Sequence, residues 1–336
     1  MYAKTRFWSA GCSLALVAFG LLPGCTLEKK DDAGEFRDAV PEAETVALSG
    51  PDGSGSTSTA AAGPSRRTLA SGSAAPYAKW YGFTRDMRGG VNQVTADVLG
   101  GVWLIIHTPA TTVTAASATW GPWTDALDPA SYRFRVERIA VDEYDYALEG
   151  RPKASNSDSD FQAVLSGHGY GKPHALHGQG TFTIDLDVAK ALDPYGHQDD
   201  SGTVKIVHTL PHDFSENLTA LPRTITATVD PAGDAHYTVE SVAALDHTGS
   251  IHVDAHVDIS ETKDTKLEDV VVNSRWAASG AGRADIDFAG GDLPAAIPMV
   301  DAVECWGTDF MQSYYKDSVG FEPAAGDPSA CVYANE

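Results

Sequence analysis

Basic residues are scarce in this chain: 24 Lys and Arg side chains stand against 46 Asp and Glu, and the formal net charge is -22 at pH 7. A field of that sign repels phosphate groups, which argues against a nucleic-acid partner and against a polybasic membrane patch. Familiar motifs are missing as well, since the sequence has no HExxH, no EF-hand loop and no Gly-x-Ser-x-Gly elbow. Composition alone therefore assigns no enzyme class.

The apolar stretch near the N-terminus is too short for the ~20 residues of a bilayer span. It covers residues 13–22, follows the basic side chains Lys4 and Arg6, and ends at Leu21-Leu22-Pro23-Gly24-Cys25. This arrangement resembles the lipobox of bacterial lipoproteins, in which the cysteine after the cleavage site is diacylated through its sulfur. The resemblance implies a lipoprotein signal peptide over residues 1–24 and a membrane anchor at acylated Cys25.

The residue after the cysteine bears on the localisation. In lipoproteins of this kind an Asp there favours retention in the inner membrane, and this chain has Thr26. The resemblance thus implies a cell-envelope protein, lipid-anchored in the outer membrane and facing either the periplasm or the cell surface. Removal of residues 1–24 takes away two basic residues and no acid, so the mature formal charge becomes -24.

Cysteine is rare, with four residues in the whole chain. On the lipoprotein reading Cys12 leaves with the signal peptide and Cys25 carries lipid. The two remaining thiols, Cys305 and Cys331, would then lie in an oxidising compartment, where we expect them to form a disulfide.

The pattern changes along the chain. Residues 25–76 contain the lipidated cysteine and a charged, then Gly/Ser-rich stretch with few aromatics, which predicts a disordered tether. Residues 77–336 are predicted to form a β-rich envelope domain. Apolar residues at three- and four-residue steps predict one N-terminal helix over 86–107; they are Met87, Val91, Val94, Val98 and Val102.

Beyond that helix the apolar period becomes two, as in residues 132–136, 181–186 and 223–229. The connections are too short for repeated βαβ crossovers, which predicts a large antiparallel meander: a curved sheet, a half-open barrel or a sandwich. Residues 174–186 also align without gaps on 276–288, and 132–137 lies a similar distance before 236–241. This echo indicates either an internal duplication or the repeated use of one hairpin turn.

Residues 251–259 alternate strictly and place His252, Asp254 and His256 on one face of a strand. With a fourth group from the adjacent strand they could hold one cation, and imidazole with carboxylate would suit zinc. The alternative, which we favour, is a solvated sheet face and no cofactor. A second His-rich stretch, residues 167–177, is predicted to be a long hairpin loop.

Trp120-Gly121-Pro122-Trp123 predicts a turn that carries two indoles. Exposed, Trp120 and Trp123 could stack on sugar rings; buried, they would close the end of a sheet. This stretch and Glu304-Cys305-Trp306 are also similar to segments of uncharacterised bacterial lipoproteins. The order of elements resembles the half-open barrels of lipoprotein-carrier and lipid-binding envelope proteins.

That resemblance implies non-enzymatic binding of an apolar ligand or a partner protein on a concave sheet face that the helix covers only in part. One alternative is a metal-dependent or carboxylate hydrolase, which requires His252, Asp254 and His256 to face inward. Another is a carbohydrate-binding or adhesive surface module, which requires both Trp120 and Trp123 to be exposed.

Overall fold

A computed structural model describes residues 33–51, 76–172, 177–198, 200–210, 222–231, 233–244, 246–259 and 266–333. The predicted signal peptide and Cys25 lie outside these ranges, as do residues 52–75 of the predicted tether.

Among the described residues, fifteen strands form one antiparallel sheet in which each strand pairs with the next along the chain. The two edge strands do not pair with each other within the described residues, so the sheet is open and the predicted antiparallel meander is confirmed. The strands are β1 Thr112–Val113, β2 Ser117–Trp123, β3 Ala130–Ala140, β4 Glu143–Pro152, β5 Gln162–Lys172, β6 His177–Asp185, β7 Thr203–Thr209, β8 Arg223–Asp230, β9 His236–Ala243, β10 Gly249–Val257, β11 Glu268–Trp276, β12 Gly282–Gly290, β13 Met299–Trp306, β14 Gln312–Asp317 and β15 Ala325–Gly326.

Three α-helices accompany the sheet in the described ranges: α1 Gly34–Asp38, α2 Lys79–Ile106 and α3 Leu186–Leu192. The predicted helix over 86–107 is therefore α2, which begins seven residues earlier than expected. Its buried stripe includes Met87, Val91, Val98 and Val102, as the periodicity required. In the described ranges, no helix combines the length and the apolar character needed to cross a bilayer.

The apolar sides of the strands form the inner face of the sheet. In β10, for example, Ile251, Val253 and Ala255 are buried while the residues between them are exposed. Helix α2 contacts β3 near one edge and β11 and β12 in the other half, so the sheet curves around it. The inner side chains, α2 and part of the N-terminal segment make up one buried cluster.

Residues 33–51 correct the tether prediction. This segment, here called the strap, includes α1 and buries Phe36, Val46 and Leu48 almost completely. The Phe36 ring packs edge-on against Tyr144 of β4, with 6.2 Å between centroids. The apolar residues of the strap are too widely spaced to give a periodic signal, but each completely buried one contributes about 2 kcal/mol.

Polar contacts hold the strap to both layers. The backbone N–H of Leu48 donates to Asn92 Oδ1 of α2 (2.8 Å), and Asn92 Nδ2 donates back to the Leu48 carbonyl (3.0 Å). On the sheet side, Arg223 donates to the carbonyl of Glu44 (3.2 Å), and burial lowers the pKa of this guanidinium. The inner face is thus covered by α2 and the strap together.

The predicted disulfide is confirmed. Cys305 of β13 is bonded to Cys331, with 5.4 Å between the Cα atoms, and both residues are buried. The bridge ties the C-terminal segment after β15 back onto the sheet.

The two sequence echoes fall on equivalent positions of the meander. Residues 181–185 belong to β6 and residues 283–287 to β12, while 132–137 belong to β3 and 236–241 to β9. Both pairs are therefore six strands apart. Internal duplication remains a prediction, and this common offset is what the prediction requires.

Candidate functional site

Four polar residues lie in one row across the inner face of the sheet. Strand register aligns His208 of β7, Ser241 of β9, Ser274 of β11 and Glu304 of β13. Ser241 Oγ accepts the N–H of Ser49 in the strap (3.0 Å), and Ser274 Oγ bonds the hydroxyl of Thr84 in α2 (3.0 Å). The row therefore forms the polar seam between the sheet and its two covering segments.

Glu304 caps α2 from a distant strand. Its carboxylate accepts the first N–H groups of the helix: Oε1 from Lys79 (2.6 Å), and Oε2 from Trp80 (2.7 Å) and Tyr81 (3.0 Å). The residue before the helix, Ala78, offers no side-chain cap. Complete burial raises the Glu304 pKa to about 7, although the three backbone donors act to lower it.

His208 occupies the same row without a partner of this kind. The residue is 1% exposed, and neither ring nitrogen has a hydrogen-bond partner among the described residues. The opposite residue in β6 is Gly180, whose missing Cβ leaves room for the imidazole: a Cβ there would lie 2.9 Å from Cε1. Burial lowers the His208 pKa to about 4, so the ring is neutral at pH 7.

The predicted metal residues lie on the outer face. His252 and Asp254 are exposed, and His256 is half-buried. His252 Nδ1 is bonded to Asn273 Oδ1 (2.8 Å), and His256 Nδ1 to Asp269 Oδ1 (2.7 Å). In the described part of the chain, no group of three or more His, Cys, Asp or Glu is arranged to hold a metal ion. The inward orientation that the hydrolase hypothesis requires is not found.

The two tryptophans face inward. Trp120 is buried beside Phe134, and its Nε1 donates to the Thr108 carbonyl (3.0 Å). A register shift in β2 places Trp120 opposite Phe134 and Trp123 opposite Tyr132, and Trp123 packs half-buried against the core. The adhesive-module hypothesis, which needs both indoles exposed, is thus wrong for Trp120.

The outer face of β3–β7 carries a concavity of about 510 Å³, here called the outer basin. Its floor is a row of small side chains in register: Ala147, Ser166 and Thr183. Arg135 and Lys205 close this row at either end, and Glu137, Asp145 and His168 line the neighbouring row. Thr181 also lines the basin, and its Oγ1 is buried without a partner in the described ranges.

Charges of both signs surround the outer basin. His168 Nδ1 is 2.8 Å from Asp145 Oδ1, and its Nε2 is 3.3 Å from Glu143. Arg135 lies 3.6 Å from Glu149. A surface of hydroxyls and alternating charges can make many directional contacts. Polar groups make up about half of the basin's lining, whereas the lining of a typical small-molecule pocket is predominantly apolar.

The sequence did not reveal the outer basin. Residues 167–172 were predicted to be loop, because of their glycines, but they belong to β5, so His168 is a strand residue. The basin residues come from five strands and meet only through lateral register, which periodicity within a strand does not encode. Comparisons of the chain with protein-family models, with curated proteins and with solved structures gave no match.

Proposed function

We propose that this chain is a lipid-anchored, non-enzymatic envelope protein that binds a partner protein at the outer basin. The observation that carries this proposal is that one face of the sheet is covered and the other is open. The inner apolar face is covered by the chain's own α2 and strap, whereas the basin on the outer face is open.

The chemistry of the basin favours a protein partner. Arg135 and Lys205 stand at opposite ends of its floor, and Glu137 and Asp145 flank it, so a complementary surface must carry both charges in register. Such patterns contribute specificity and association rate in protein–protein binding. The hydroxyls of Ser166 and Thr183 add hydrogen-bonding groups between the charges.

The other candidate functions have less support. An apolar ligand on the inner face would have to displace the strap, including Phe36 and Leu48. A zinc-dependent hydrolase would need a further ligand beside His252, and a carbohydrate module would need a platform other than Trp120. For the anchor itself, the support remains the lipobox resemblance at Cys25, and we propose the outer membrane as its location.

The anchor is tested by Cys25→Ser. We expect the wild-type mature N-terminus to carry a lipid mass and to fractionate with outer membranes, and the variant to lose both. Identical fractionation of the two proteins, without lipid on either N-terminus, would refute the anchor. The Cys305–Cys331 bridge serves as the folding control because it does not involve Cys25.

Partner binding is tested by photo-crosslinking in the native envelope. A photoreactive residue replaces Val207, an exposed residue of β7 that pairs with Thr181 beside the basin. Lys316, an exposed lysine on β14, provides the control position. We expect one discrete crosslinked product from position 207, none from 316, and loss of the product when Arg135→Glu reverses the charge at one end of the floor. Equal crosslinking at both positions, or none at 207, contradicts the proposal.

A further inference from the structure

The distance between the predicted anchor and the folded domain is short. The strap begins at Ala33, eight residues after Cys25. At 3.3–3.6 Å per residue, eight residues span at most about 29 Å even when fully extended. If Cys25 lies in the bilayer, as the proposed function states, the first residues of the strap must stay within this reach of it.

The start of the strap lies at one defined end of the sheet. Glu35 forms an ion pair with Arg138 near the end of β3 (3.1 Å), and Arg138 donates to the carbonyl of Ala115 in the β1–β2 turn (2.5 Å). The Phe36 ring packs on Tyr144, at the start of β4. The strap therefore begins against the tips of the β1–β2 and β3–β4 hairpins.

The same end of the sheet exposes apolar side chains. Val141, at the tip of the β3–β4 hairpin, is 84% exposed, and Ile139 before it is 49% exposed. Val113 of β1 and Tyr170, which pairs with Glu143 at the end of β5, are 37% and 48% exposed. These four residues, here called the hairpin surface, lie at the same end of the sheet as the start of the strap. Trp103 and Leu104, in the last turn of α2, are exposed as well, and Arg37 of the strap donates to the Ile106 carbonyl in that turn.

The opposite end of the sheet also exposes apolar residues, which provides a comparison. Leu127 and Tyr195 there are 94% and 93% exposed. Acidic residues lie at both ends: Asp125 and Asp128 beside Leu127, and Asp142 and Glu143 beside Val141. The reach of the connection to Cys25 therefore decides between the two ends. Strand β3 runs from the Leu127 end to the hairpin surface over 11 residues, a length of about 37 Å at 3.4 Å per residue. With that end on the bilayer and β3 along the membrane normal, Ala33 would be farther from the membrane than the eight-residue connection can reach.

From this geometry we infer that the hairpin surface rests in the headgroup region of the bilayer that holds the Cys25 anchor. The inference depends on the anchoring proposed above. Its occupant is the lipid surface, because the anchored chain delivers this end of the domain to the membrane and the exposed side chains there are aliphatic and aromatic. The outer basin, on the side of β3–β7, remains accessible to a partner.

Site-specific labelling tests this surface in the full-length acylated protein. Val141→Cys creates one free thiol, since Cys25 is acylated in this scheme and Cys305 is bonded to Cys331. An environment-sensitive fluorophore at position 141 is compared with one at Leu127→Cys in vesicles of phosphatidylethanolamine and phosphatidylglycerol. Half of the samples contain lipids brominated in the acyl chains, which quench only fluorophores that enter the membrane interface. A label at Val113→Cys repeats the measurement if the Val141 variant folds poorly.

We expect at least twofold quenching at position 141 or 113 and none at 127. Adding Ile139→Asp to the labelled Val141→Cys protein should reduce the quenching. Equal quenching at both ends, or none at 141 and 113 in protein that floats with the vesicles, overturns the hairpin surface and leaves the anchor intact. Failure of the wild-type protein to float overturns the anchor, and the hairpin surface with it.

Discussion

Glu304 and His208 occupy the same inner row of the sheet, and their surroundings differ in an instructive way. Glu304 meets the start of α2 and accepts three backbone N–H groups. His208 lies six strands away beside Gly180, with both ring nitrogens unpartnered in the described ranges. Both side chains are buried, so what separates them is the segment that covers each one.

The difference shows how a buried ionisable group acquires its role. A carboxylate under a helix N-terminus satisfies donors that the helix itself cannot satisfy, and this fixes the start of α2. An imidazole without a hydrogen-bonding partner is held in its neutral form by burial alone. The first arrangement also fixes the start of a helix, and both arrangements make stability depend on pH, in opposite directions.

Removal of the cap should have the largest effect. Glu304→Ala leaves three N–H groups at the start of α2 without their acceptor, and we expect it to lower the free energy of unfolding by about 4 kcal/mol in chemical denaturation. Glu304→Gln keeps the size but turns one N–H donor of its amide toward the helix, which should cost about 2 kcal/mol.

Glu322→Gln is the matched control. Glu322 pairs with Lys79, at the same helix start, but both side chains are exposed, so its loss should cost less than about 1 kcal/mol. If Glu304→Ala were no more destabilising than this control, the carboxylate would not be the anchor of α2.

The contributions of the two groups to the free energy of unfolding should change with pH in opposite directions. The folded His208 pKa of about 4 lies below its ordinary 6.5, so its contribution is present above pH 6.5 and is lost as pH falls toward 4. The folded Glu304 pKa of about 7 lies above its ordinary 4.5, so its contribution is present below pH 4.5 and is lost as pH rises through 7. Between pH 7 and 5 each contribution changes by about 2 kcal/mol, in opposite directions.

Two variants test these opposite changes of stability with pH. Relative to the wild type, His208→Phe should become more stable as pH falls from 7 to 5, and Glu304→Gln should become less stable over the same range. Urea denaturation at pH 7, 6 and 5 measures both. Parallel curves for the wild type and the two variants would show that neither side chain titrates in this window.

An effect smaller than that of Glu304→Ala is expected at the strap. Asn92→Ala removes both hydrogen bonds to Leu48 and should cost about 2 kcal/mol. It should also speed proteolysis within residues 33–51, because the strap can then open locally. Gln93→Ala, at the next and exposed position of α2, should leave both the free energy of unfolding and the rate of proteolysis unchanged. Equal proteolysis in the two variants would show that Asn92 does not hold the strap in place.

Patterns within single elements led to correct predictions. The two-residue period gave the strands, and the stripe from Met87 to Val102 gave α2, because burial of one side of an element repeats with its geometry. The Cys305–Cys331 pair followed from the lipoprotein reading of the other two cysteines. The start of α2 was missed, since its cap, Glu304, lies more than 220 residues away.

For features that depend on two distant segments, the predictions were wrong or were not made. The strap was predicted to belong to a disordered tether, because Phe36 and Leu48 give no periodic signal and become buried only against Tyr144 and α2. The sequence left open whether Trp120 is exposed or buried. In the structure, the bulge at Gly121 and the hydrogen bond to the Thr108 carbonyl fix it in a buried position. Nothing within β5 indicates that Ser166 stands beside Ala147 and Thr183.

The sequence by itself determined the antiparallel meander, the helical stripe and the excess of acid, because each depends on residues close together in the chain or on composition. Only the tertiary structure decided which face is open. Lateral register sets the outer basin, and the return of the strap and α2 across the inner face covers the apolar surface. Both result from contacts between segments far apart in sequence, whose free energy depends on complementary shape and paired polar groups rather than on local pattern.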